Sequence, residues 1–70
     1  MAVQNIAFNV EGMKDNISSE TIKNSLTVLN GVFDVIVDLN AKRVAVEFDE
    51  ERLSAEIIKE TIVDTGFNVK

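Results

Sequence analysis

The sequence contains no cysteine and no histidine. Without cysteine there is no disulfide staple, no thiolate metal site and no clue to redox compartment. Without histidine the commonest metal-binding nitrogen and the usual general base near neutral pH are both missing. Nucleophile–base pairs are therefore scarce, no two carboxylates are brought together by their spacing, and the chain is expected not to be an enzyme. Positive charge is also in short supply, with 7 Lys and Arg against 12 Asp and Glu, a net charge of −5. Binding to nucleic acid through its phosphates needs the opposite balance, and an anionic membrane surface is disfavoured for the same reason. A basic protein partner is compatible with this charge. No basic leader precedes an apolar run, and no stretch approaches the roughly 20 apolar residues of a membrane span. A cytoplasmic location is expected on those grounds.

The 70 residues that are present, 46% apolar and 27% charged, suit one small soluble domain spanning 1–70, near the size at which a single core is just sufficient. Gln4 to Val10 alternates, with Ile6, Phe8 and Val10 on one side and Asn5, Ala7 and Asn9 on the other, the pattern of a half-buried strand. Gly12 breaks it. From about Ser18 the apolar spacing turns helical through Ile22, Leu26 and Leu29. Asp15, Asn16 and Ser18 are competent N-caps, Glu20 is expected in the first turn, and Gly31 at the C′ position. Val32 to Leu39 and Arg43 to Phe48 read as a hairpin across Asn40 to Lys42, with Val35, Val37 and Leu39 facing in and Ile36 out. Asp49 to Arg52 reads as a solvated loop. Ser54 caps a second helix, with Leu53 as a hydrophobic staple and Ile57, Ile58 and Ile62 as the buried stripe, closed by Gly66. Phe67 to Val69 makes a last short strand. The order β-α-β-β-α-β predicts an α+β, ferredoxin-like domain, with two helices on one face of a four-stranded antiparallel sheet.

The run Gly12-Met13, the helix carrying Ile22 and Leu26, and Leu29-Asn30-Gly31-Val32 resemble the heavy-metal-associated domain. So does Val44-Ala45-Val46-Glu47-Phe48-Asp49, followed by Ile57, Ile62 and Gly66-Phe67-Asn68-Val69. The resemblance covers nearly the whole chain. It implies kinship with copper chaperones and with the soluble metal-binding modules of metal-transporting ATPases. In that family the first loop reads Gly-Met-x-Cys-x-x-Cys, and its two thiolates hold a soft ion such as Cu(I). Asp15 and Ser18 stand at the two cysteine positions here, so no metal site is expected. The resemblance also places Met13 in the core beneath the loop, and Phe67 at an often aromatic position close to it.

Soft Cu(I) selects sulfur over carboxylate or hydroxyl oxygen. Asp15 and Ser18 supply far fewer oxygens than Ca²⁺ or Mg²⁺ requires, even if Glu11 were added, and helix capping explains them better. Met13 suits a tight corner because its side chain is flexible. RNA-recognition domains share this element order but need exposed aromatics on the central strands, where this chain has Asn5, Ala7, Asn9, Ala45 and Glu47. An anion-binding arginine in the first loop, as an acylphosphatase requires, is replaced by Lys14. A protein-interaction module fits better, with Ala7, Ile36 and Ala45 forming a modest apolar patch on the open sheet face and supporting a weak homodimer. The expected role is regulation or binding of a protein in a metal-handling system, such as a metal-transporting ATPase. The alternative is copper or zinc carriage through an unusual loop site, and only then would Cu(I) or Zn be bound.

Overall fold

The computed structural model describes residues 2–70. Its elements run β1 (Val3–Glu11), α1 (Asn16–Thr27), β2 (Val32–Asp38), β3 (Arg43–Asp49), α2 (Ala55–Asp64) and β4 (Asn68–Val69). The strands form one sheet in the order β2-β3-β1-β4, with every neighbouring pair antiparallel. This is the ferredoxin-like arrangement that the alternating and helical periodicities predict. Because side chains alternate across a strand, Phe8 and Val10 of β1, Val35 of β2 and Val44, Val46 and Phe48 of β3 share one face. Ile22 and Leu26 of α1 and Ile58 and Ile62 of α2, all at 0% exposure, close over that face. Full burial of each such side chain contributes about 1.5–3 kcal/mol, and the helices are held mainly by this stripe.

Several local features depart from the sequence pattern. Asp15 caps α1, so the helix starts at Asn16 and Glu20 falls beyond the first turn, which holds no acidic residue. The helix stops at Thr27 with Val28 as C-cap, and the Leu29 amide donates to the Leu26 carbonyl at 3.0 Å. Leu29 therefore packs on the core from the following turn rather than from the helix. Gly31 is not the C′ residue. It redirects the chain into β2 at φ +112°, and a Cβ there would come within 3.1 Å of the Arg52 Cβ. Both the dihedral and the close approach call for glycine.

Within β2, the pairing shifts between Val32 and Asp34, and this bulge leaves Phe33 46% exposed. The Asn40–Lys42 turn is completed by the Asp38 Oδ1, which accepts from the Ala41 amide at 3.0 Å, and by Lys42 at φ +56°. On α2, Ser54 is the N-cap, accepting from the Ile57 amide at 3.3 Å, and Gly66 follows the Thr65 C-cap. Leu53 packs on the core, but Ile57 is 44% exposed. Adjacent helical residues are rotated by about 100°, so only Ile58 of that pair can join Ile62 on the buried face. The final strand starts at Asn68, with Phe67 in the irregular connection before it.

The acidic stretch after β3 is not simply solvated. Asp49 is the last residue of that strand and only 5% exposed. Its Oδ1 accepts from the Glu51 amide at 3.0 Å, and its Oδ2 lies 3.6 Å from the Arg52 Nε. Its own amide donates to the Gly31 carbonyl at 2.8 Å, while Arg52 Nη1 donates to the Asn30 Oδ1 at 3.0 Å. Asp49 thus ties the α1–β2 turn to the β3–α2 turn.

Candidate functional site

The corner between β1 and α1 is shaped by Gly12 at φ +97°, where an added Cβ would lie 3.3 Å from the Phe67 Cδ1. Only glycine lets the chain turn here while the half-buried Phe67 ring closes under it. Met13 follows and turns inward, 7% exposed, as part of the core. The chain then surfaces at Asp15, whose extended backbone (φ −154°, ψ −178°) is that of an N-cap residue.

Asp15 and Ser18 meet at this corner. The Ser18 amide donates to Asp15 Oδ1 at 3.0 Å, and the Ser18 hydroxyl donates to the same oxygen at 3.2 Å. The Asp15 carboxyl is held below its usual 3.8, chiefly by the Ser18 amide. The Ser18 hydroxyl, the Ile17 amide and the Lys14 charge pull the same way, against a desolvation effect that opposes them. A carboxylate at a helix N-terminus is also favoured by the helix dipole.

The sequence-selected residues therefore separate into groups. Asp15 and Ser18 are in contact, and Phe67 lies against Gly12 nearby. Met13 keeps its thioether in the core, away from that exposed pair. Glu11 points elsewhere, its Oε2 lying 3.5 Å from the Lys70 Nζ. Ala7, Ile36 and Ala45 form a single row across the open face, since Ala45 pairs with Ala7 on β1 and with Ile36 on β2. Ile36 is 61% exposed. Polar rows flank it, Asn9–Arg43–Asp38 on one side and Asn5–Glu47–Asp34 on the other. None of these rows carries an aromatic ring for stacking bases. Asp49 and the exposed Phe33 were not legible as special, because Asp49 looks like its charged neighbours and Phe33 owes its exposure to a bulge.

Among the described residues, no group of three or more His, Cys, Asp or Glu side chains is placed to hold a metal ion. The Asp15–Ser18 donor set fits a soft ion poorly. It offers a carboxylate and a hydroxyl, bonded to each other, where Cu(I) takes thiolate or thioether sulfur. Among the described residues, no helix is long and apolar enough to cross a membrane.

The profile of the heavy-metal-associated domain matches residues 7–68. The chain is 42% identical over 66 residues to the copper chaperone CopZ of Staphylococcus haemolyticus, covering 94% of this chain and 97% of that protein. It is 36% identical over 70 residues to CopZ of Staphylococcus saprophyticus, covering 100% of both. Among solved structures, it superposes on a CopZ metallochaperone with a TM-score of 0.94 at 27% identity, covering 96% of this chain and 100% of the other. A copper-binding domain from HMA7, a P-type ATPase, gives 0.90 at 36% identity, covering 94% and 89%. Fold, corner and relatives agree: this chain belongs to the heavy-metal-associated domain family, related to copper chaperones and P-type ATPase copper-binding domains, and lacks the family's cysteine pair.

Proposed function

We propose that this chain is a non-catalytic interaction or regulatory module of a metal-handling system, one that keeps the family scaffold without its metal cargo. The observation that carries this reading is the closed Asp15–Ser18 pair, in which both Ser18 donors are spent on Asp15 Oδ1. The two loop positions that would hold a soft ion are bridged by hydrogen bonds instead. The corner still has a charge like that of a loaded site. Two thiolates around one monovalent copper carry a net charge of −1, and so does one ionised carboxylate, here held in that state by the Ser18 amide. A protein partner that recognises a loaded corner by its charge would meet a similar surface in this chain without copper. Kinship with P-type ATPase domains supports a metal-transporting ATPase or a related protein as that partner, meeting the domain in the cytoplasm. The Ala7–Ala45–Ile36 row is the second contact surface in this reading, and supports weak homodimerisation.

A Cu(I) titration of the reduced protein against a colorimetric chelator tests the reading, run beside the Asp15→Cys/Ser18→Cys variant. The native chain is expected not to compete and the double variant to take one equivalent. One equivalent bound by the native chain overturns the proposal in favour of copper or zinc carriage by an oxygen-and-thioether loop site, the reading that CopZ kinship favours.

A further inference from the structure

β4 stops short. It pairs only with Val10 and Glu11 of β1, whereas β3 pairs with β1 from Val3 to Asn9. The two sides of β1 can be told apart from two bonds. The Val10 amide donates to the Lys42 carbonyl on the β3 side, and the Asn9 carbonyl accepts from the Lys70 amide on the β4 side. Main-chain groups alternate sides along an antiparallel strand. Val3, Asn5 and Ala7 therefore direct their N–H and C=O groups to the side that β4 does not reach. Among the described residues, no backbone partner meets them there.

Among the described residues this edge is also unguarded. Natural sheets blunt open edges with charge, proline or a covering element. The outer strand β2 carries Asp34 and Asp38, but Val3 to Asn9 carries no charge. Beside it, between β1 and the start of α2, lies a groove of about 370 Å³ walled by Ile6, Phe48, Leu53 and Ala55. Glu50 lines the same groove, while Lys70 stands at the opposite end of the edge, where β4 finishes.

From this geometry we infer a peptide-docking edge: an extended segment of a partner protein adds to β1 antiparallel, in line with β4, placing an apolar side chain in the groove and a Lys or Arg beside Glu50. Main-chain bonds to Asn5 and Ala7 supply affinity, and the groove and Glu50 supply selectivity, as in strand addition generally. The basic residue lies on the C-terminal side of the apolar one, because the Glu50 end of the groove is reached last by a strand running antiparallel to β1. A net charge of −5 favours a basic segment over a second copy of this chain.

The probe is the acetylated and amidated pentapeptide Thr-Thr-Val-Thr-Lys, titrated into the isotope-labelled protein and followed by amide shifts and hydrogen exchange. At saturating peptide, exchange at the Asn5 and Ala7 amides is expected to slow at least tenfold, with the Gln4 and Ile6 amides unchanged because they already face β3. A peptide ending in Glu should bind at least tenfold more weakly, and Glu50→Lys should reverse that preference. Asn5→Pro removes one edge N–H without removing a β1–β3 bond and should abolish binding; if it does not fold, the Glu50→Lys reversal decides. Shifts centred on Asp15 to Ser18, unchanged exchange at Asn5 and Ala7, or equal binding of both peptides overturns the inference. Slowing that appears on raising protein concentration alone also overturns it, because a second copy then occupies the edge.

Discussion

Asp49→Ala removes the buried carboxylate that holds the turn following β3 through Glu51 and Arg52, and leaves the backbone bond to Gly31 in place. The bond it accepts from the Glu51 amide at 3.0 Å is charge-assisted and buried on the acceptor side. Such bonds contribute about 1.5–3 kcal/mol, and the lower figure applies here because the amide, belonging to an exposed residue, can turn to water. The Arg52 contact at 3.6 Å involves a side chain 59% exposed and adds no more than about 0.5 kcal/mol. The expected loss is about 2 kcal/mol, which for a domain of this size lowers Tm by about 8–16 °C. Asp49→Asn keeps an oxygen where the Glu51 amide needs one and loses only charge, so its Tm should fall by about half as much or less. Thermal unfolding followed by far-ultraviolet circular dichroism at neutral pH separates the two. If Asp49→Ala melts within about 2 °C of the native chain, or Asp49→Asn falls as far as Asp49→Ala, the hydrogen-bond reasoning is refuted.

Two further outcomes follow from the corner. Asp15 has a folded pKa below its usual 3.8, so its contribution to stability is complete above that value and is lost as pH falls through the lower folded value. The Tm difference between the native chain and Asp15→Ala should hold steady from about pH 7 to pH 5 and shrink as the pH falls below 3.8, and a difference that does not change with pH refutes the assignment. Met13→Ala deletes a core side chain that is 7% exposed and should cost about 2–5 kcal/mol by urea unfolding. It should leave Cu(I) competition unchanged, whereas a loss of copper binding together with stability would make the thioether a ligand.

The sequence made the architecture legible wherever one residue type admits a single role. Alternation in β1 and β3, the cap at Ser54 and the glycine after α2 stand in the structure as read, and of the three candidate caps of α1 the structure selects Asp15. What could not be read is set by phase and by distant contacts. Ile57 and Ile58 look equivalent in the chain, and helical rotation alone decides that Ile58 is buried. Leu29 keeps its core contact although the helix ends before it. Asp49 lies in a charged run, and its burial depends on the turn around Gly31, far away in sequence. At the corner, the missing cysteines were plain from the residues. The carboxylate and hydroxyl bonding to each other needed coordinates, because either side chain could have faced solvent.

The corner and the Asp49 tie lie at opposite ends of β1, the first following Glu11 and the second paired with Val3. Between them the core is sealed by side chains that touch neither position 15 nor position 18 by hydrogen bond or charge. The exposed corner and the structural anchor of this domain are accordingly separable. Donor atoms at the tip can be exchanged without repacking the interior, so one rigid shape can serve several chemical identities. Divergence in such a domain needs no redesign of the fold, only a change of two residues at its exposed tip.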